Sequence, residues 1–225
     1  MTLIDYIPQL LQGTLTTLLL MVSALAIGII LALFMTLGII SKRPYLSFPI
    51  NALVFFIRGT PLLVQFFLIY YGSGQFDWLK ASPLWIILRE PFACAVIALA
   101  LNTSAYTTVL LKGAIDGVPK NEVMACHALG MSKSLMLRRI ILPIAFRIAL
   151  PAYSNEVVIV LKGTSLASTI TILDLMGVTN QIIGQTYESM KFLALAGVIY
   201  LLLNAFIIGI FKMIERKVNI HLHVR

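Results

Sequence analysis

Charge is scarce in this chain. Only 12% of its 225 residues are Asp, Glu, Lys or Arg, about half the share of an ordinary soluble domain. Acid is the scarcer sign, 9 residues against 17 basic ones. Cysteine is limited to Cys94 and Cys126, both in apolar or helical contexts, which excludes a disulfide scaffold. Histidine is limited to His127, His221 and His223. That leaves no spacing for a metal centre, since an i, i+2 pair in a tail is weak evidence. No histidine lies in an apolar run, so an intramembrane Ser–His enzyme lacks its base. A phosphate-binding G-x-x-x-x-G-K-[ST] loop is also missing, because Lys162-Gly163-Thr164-Ser165 has the wrong order. ATP hydrolysis by this chain is therefore not expected.

Apolar residues are abundant: 60% of the chain, with a mean hydropathy of +0.96. Disorder is excluded, and a soluble globule could not cover so much apolar surface. Uncharged runs extend over Tyr6–Ser41, Pro91–Leu111 and Phe192–Phe211, and a bilayer crossing needs about 20 apolar residues. Five spans are expected, near 14–40, 48–71, 91–111, 144–168 and 192–213. The semi-apolar 168–186 carries Asp174, Asn180 and Gln181, and reads as a short re-entrant or interfacial helix, with a sixth span as the alternative. Backbone in hydrocarbon must pair internally, and Leu20–Leu33 lacks the alternation of a barrel strand. The fold class is an all-α polytopic membrane protein.

The net charge of +8 reads as topology. Lys42, Arg43, Lys112, Lys120, Lys133, Arg138, Arg139, Lys212, Arg216, Lys217 and Arg225 fall in alternate loops. The other loops hold Lys80, Arg89 and Lys191. Cations mark the cytoplasmic side, so the amino terminus is expected outside and the carboxyl terminus inside. The first cation is Lys42, after the first apolar run, which argues against a signal peptide. Nucleic-acid binding is disfavoured, because the cations sit at span ends with no aromatics between them.

Residues 112–143 form the one long polar segment. Pro119 suits a first helical position, Gly130 a left-handed helix end, and Ser132 the cap of a second helix. That helix is expected to run to about Leu142, where Pro143 stops it or marks entry into the fourth span. Val123, Ala125, Ala128 and Leu129 offer too little apolar surface for an independent globule. The pair either rests on headgroups through Lys133, Arg138 and Arg139 or docks on a partner.

Glu156, Arg58 and Lys162 interrupt apolar runs, and such residues face a partner or a cavity. Pro151, one turn before Glu156, loosens the helix there. Glu156 reads either as a contact for a cationic substrate or as part of an intramembrane ion-pair or hydrogen-bond network. Arg58 precedes Gly59-Thr60-Pro61, a break in the second span, and reads as an interface or carbonyl-binding group. Lys162 lies about 240° around the helix from Glu156, so the two do not face each other. Asn102 and Tyr106 sit one turn apart in the third span and read as interhelical hydrogen-bonding or pathway residues.

Met124-Ala125-Cys126, Gly130 and Ile140-Ile141-Leu142-Pro143 resemble the E-A-A-x3-G-x9-I-x-L-P loop of binding-protein-dependent ABC permeases. Met124 and Cys126 depart from the first and third positions. Arg58-Gly59-Thr60-Pro61-Leu62-Leu63-Val64-Gln65, Val118-Pro119 and Ser154-Asn155-Glu156 with Lys162 are similar to the polar amino-acid branch of that family. Phe67–Gly72 and Ala128–Lys133 resemble its arginine-type members. The resemblance implies a type I ABC importer permease with Glu156 and Asn155 at the substrate and arginine as the expected cargo, with histidine, lysine, ornithine or glutamine as alternative substrates. A stand-alone channel or secondary carrier is the alternative function. It implies that Val118, Pro119, Ala125, Ala128, Leu129 and Gly130 couple to a homodimeric cytoplasmic ATPase, which binds ATP and Mg²⁺. A sister permease, a periplasmic binding protein and residence in a bacterial inner membrane follow from it too.

Overall fold

The structure, a computed structural model, describes residues 3–41 and 43–219. Lys42, His221, His223 and Arg225 lie outside the described residues. Helix α1 covers Ile7–Ile40. Its 34 residues span about 51 Å at 1.5 Å per residue, more than the hydrocarbon core of about 30 Å. Helix α2 covers Pro44–Gly59, and α3 covers Leu62–Phe67, continuing through a π turn at Leu68–Gly72. Two short helices follow, α4 at Asp77–Lys80 and α5 at Trp85–Leu88. Helix α6 covers Pro91–Asp116, α7 Lys120–Ala128 and α8 Lys133–Met136. A π turn at Leu137–Ile141 leads into α9, Leu142–Gly163, and a 3-10 segment at Thr164–Ile170. Helices α10, Leu175–Thr186, and α11, Ser189–Asn219, complete the described chain.

Four segments among the described residues are long and apolar enough to cross a membrane: Ile7–Ile40, Pro91–Asp116, Lys133–Ile170 and Ser189–Val218. A fifth crossing is present if Pro44–Gly59 and Leu62–Gly72 count as one, and these two meet at 108°. The bend has a local cause. Thr60 is extended, with φ −111° and ψ 142°, as residues before proline prefer. Pro61 then offers no N–H to continue the helix.

Helix α6 is the centre of the bundle. Its small residues Ala95, Ala98, Thr103, Ser104 and Ala105 are buried, and small side chains let membrane helices approach closely. Helix α1 meets it with Ala24, Gly28 and Ala32, a buried stripe at four-residue spacing. A Cβ on Gly28 would overlap Thr103 Cγ2 and lie 3.2 Å from Ala100 O. Two of the hydroxyls that this packing buries are turned back on their own helices. Thr108 Oγ1 donates to Ser104 O at 2.7 Å, and Thr36 Oγ1 to Ala32 O at 2.7 Å. Outside this core, α11 presents Leu201, Leu202 and Phe206 openly, as a lipid-facing surface does.

The polar segment folds as helix, turn, helix. Gly130 has φ +69°. Gly130 N donates to His127 O and Met131 N to Cys126 O, both at 3.0 Å, which together make a Schellman end. Ser132 Oγ accepts from Leu135 N at 3.4 Å, capping α8. Of the two readings of Pro143, a stop and an entry into the next helix, the second holds: the path is continuous and Pro143 lies in the first turn of α9. Leu142 N donates to Leu137 O, five residues back, and this wider turn absorbs the missing proline donor. Segment 168–186 contains a left-handed residue, Thr171 at φ 71°, and then α10. Asp174 caps α10 by accepting from Gly177 N at 2.9 Å.

Candidate functional site: a charged cavity at the helix break

Helices α2, α3, α6 and α9 enclose a cavity of about 470 Å³. Arg58, Gly59, Thr60 and Pro61 come from the break, Asn102 and Tyr106 from α6, and Glu156 from α9. The break itself forms one wall of this space. The Arg58 guanidinium carbon lies 5.1 Å from the centroid of the Tyr106 ring, a cation–π separation. Glu156 is buried, with the Thr103 side chain of α6 as its polar neighbour.

Neither charge has an ion-pair partner among the described residues. The ion pairs among the described residues are Lys80–Asp77, Arg89–Glu90, Lys112–Asp116 and Lys191–Glu188. Glu156 therefore has no cation to pair with there, and the ion-pair alternative is not realised. One cavity thus carries a buried carboxylate, Glu156, and an exposed guanidinium, Arg58, with no ion-pair partner for either among the described residues.

The break is held by one side chain that the sequence reading did not single out. Gln65, buried in α3, donates through Nε2 to Ile57 O at 2.7 Å and Thr60 Oγ1 at 2.9 Å, with Thr60 O at 3.2 Å. Asn102 Nδ2 donates to Gln65 Oε1 at 3.1 Å. The only sequence signal was an uncharged polar residue inside an apolar run. Asn155 is not brought to the cavity: it is exposed on the turn beside Glu156. Lys162 is exposed as well.

The candidate coupling residues divide in two. Val118 is buried against Ala114, Ala145 and Ala149, so it anchors the start of the loop. Pro119, Ala125, Ala128, Leu129 and Gly130 are exposed, with Leu129 79% and Met124 60% accessible. A second cavity of about 550 Å³ lies beneath this helix, between Pro119 and Glu122 on one side and Arg139 and Arg147 on the other. Arg147, which sequence reasoning passed over, is half-buried there.

Residues 24–220 match the family described as binding-protein-dependent transport system inner membrane component. Over 214 residues the chain is 48% identical to the arginine ABC transporter permease protein ArtM of Escherichia coli (strain K12), covering 95% of this chain and 96% of that one. It is 46% identical over 206 residues to the octopine transport system permease protein OccM of Rhizobium meliloti, covering 92% and 84%. A crystal structure of an amino acid ABC transporter with histidines superposes with a TM-score of 0.86 at 30% identity, covering 96% of this chain and 100% of that one.

Proposed function

The chain belongs to the inner-membrane components of binding-protein-dependent transport systems, and from that premise we propose that it lines the substrate pathway of a cationic amino-acid importer, with L-arginine the first candidate. The chain is an ABC importer permease subunit. The observation that carries the finer reading is the buried, unpaired Glu156 in a cavity shared with Arg58. A carboxylate grips a guanidinium with two parallel, charge-assisted hydrogen bonds. Arg58, braced on Tyr106, offers the opposite charge to the substrate carboxylate. A substrate with a cationic side chain and a carboxylate satisfies both groups, while a neutral one leaves Glu156 buried and unpaired. The similarity to arginine and octopine permeases supports the same substrate class.

Coupling falls to α7. Its exposed Ala125, Ala128 and Leu129 form a small apolar face suited to a groove on a homodimeric cytoplasmic ATPase, where ATP and Mg²⁺ bind. The Schellman end at Gly130 fixes the direction in which that face points. The loop cations put α7 on the cytoplasmic side of a bacterial inner membrane, with the amino terminus outside and the carboxyl terminus inside. The opposite face receives substrate from a periplasmic binding protein, and a sister permease completes the pathway.

Reconstitution in proteoliposomes with the co-purifying ATPase, sister permease and binding protein, read with a radiolabelled amino-acid panel, tests this reading. ATP-dependent uptake led by arginine is expected. Uptake by this chain alone would overturn it in favour of a stand-alone carrier. Uptake of neutral amino acids only would overturn the role given to Glu156.

A further inference from the structure

We propose that Gln65 is a positioning residue that sets the affinity of the permease cavity by clamping the helix break to α6. The break takes the i+4 donor from Ile57 O, because Pro61 has no N–H, and leaves that carbonyl only long bonds from Thr60 N at 3.4 Å and Thr60 Oγ1 at 3.3 Å; the extended Thr60 turns its own carbonyl out of the helix. In hydrocarbon, freed carbonyls need a substitute donor. The Gln65 amide supplies it, bonding across eight residues to Ile57 O and reaching both the carbonyl and the hydroxyl of Thr60. Its own oxygen accepts from Asn102. The amide therefore has one orientation in which every neighbour is satisfied: nitrogen toward the break, oxygen toward α6.

The consequence reaches the cavity. Arg58 precedes the break by two residues, and its partner Tyr106 lies one turn beyond Asn102 on α6. Gln65 ties the two backbones that carry this pair, yet it is not itself among the cavity-lining residues. Removing its hydrogen bonds leaves the wall free to move relative to Glu156 without deleting any group that meets substrate. Losing part of a charge-assisted contact costs about tenfold in affinity, the equivalent of about 1.4 kcal/mol. The inference rests on reading the cavity as the substrate site.

The test is equilibrium binding of radiolabelled L-arginine to the purified permease–ATPase complex without binding protein, giving both Kd and the number of sites. Gln65→Met keeps the length of the side chain and removes its hydrogen bonds. It is expected to raise Kd by about tenfold with the number of sites unchanged. Asn102→Leu is expected to raise Kd as well, and to add less in the Gln65→Met background than alone, since both remove one shared bond. A lower number of sites at unchanged Kd, or fully additive effects, overturns the positioning role. If Gln65→Met yields no complex, Asn102→Leu decides alone: an unchanged Kd overturns the proposal. Wild type without arginine binding, or Glu156→Gln with unaltered Kd, is instead the failure of the substrate-site reading. Normal binding that weakens in Glu156→Gln but not in Gln65→Met sinks only the clamp.

Discussion

The backbone N–H of Leu175 donates to Thr17 Oγ1 at 3.0 Å, joining positions 158 residues apart. The same hydroxyl donates to Gly13 O at 3.0 Å, so Thr17 is saturated in both directions. It pins the first turn of α10 to α1, and Gly13 makes room for the approach. A Cβ there would lie 3.0 Å from both Asp174 O and Leu175 Cα, atoms of a backbone that has no side chain to swing away.

Replacing Thr17 by Val should therefore cost about 1–3 kcal/mol, the penalty of a buried donor left without a partner. Thr17→Ser keeps the hydroxyl and should stay close to wild type. Thermal unfolding in detergent, followed by the fluorescence of Trp78 and Trp85, measures the difference. Equal midpoints for the Val and Ser variants would show that the bond carries no net stability.

Glu156→Gln preserves shape and removes charge. Arginine binding should weaken by at least about tenfold, as expected for a charge-assisted pair of roughly 1.5–3 kcal/mol. Assembly with the ATPase should be unaffected, because α7 contributes no residue to the cavity. Arg58→Gln should weaken arginine binding too. Agmatine, which lacks the carboxylate, should be indifferent to that change and sensitive to Glu156→Gln. Binding isotherms with the two ligands read this crossover directly, and equal loss for both ligands in Arg58→Gln would contradict the assignment.

Gly130 is the one glycine among the described residues with a positive φ, and a Cβ there meets nothing within 4 Å. The cost of a side chain is thus purely conformational, about 1–2 kcal/mol. Gly130→Val should reduce substrate-stimulated ATP turnover, while Gly130→Asn, which tolerates the left-handed region, should retain most of it. Turnover of the Val variant at the wild-type rate would mean that the turn does not orient α7.

Leu129 is 79% exposed and touches no core of its own chain. Leu129→Asp should leave the melting temperature of the permease unchanged, within about 0.5 kcal/mol for a surface substitution. Co-purification of the ATPase should fall by contrast. Retention of the ATPase at wild-type levels would remove Leu129 from the docking face.

The helical class, the apolar runs and the turn at Gly130 are local properties. Each depends on hydropathy, proline or glycine acting within a few residues, so the sequence could carry them. The break at Thr60-Pro61 was legible for the same reason. Its 108° angle was not, because that depends on where Gln65 finds Asn102, 37 residues away. Likewise Pro143 stayed open between a stop and an entry, since a proline is read against α-helical bonding and nothing local announced the π turn before it. Glu156 could be marked from sequence by charge alone. Asn155 was grouped with it through the Ser154-Asn155-Glu156 resemblance, yet neighbouring positions on a helix point about 100° apart. Only tertiary packing decided that Glu156 shares a cavity with Arg58 and that Val118 is an anchor. Which distant side chains share a space depends on how helices cross, and crossing is set by small buried residues such as Gly28 and Ala100 meeting across the bundle.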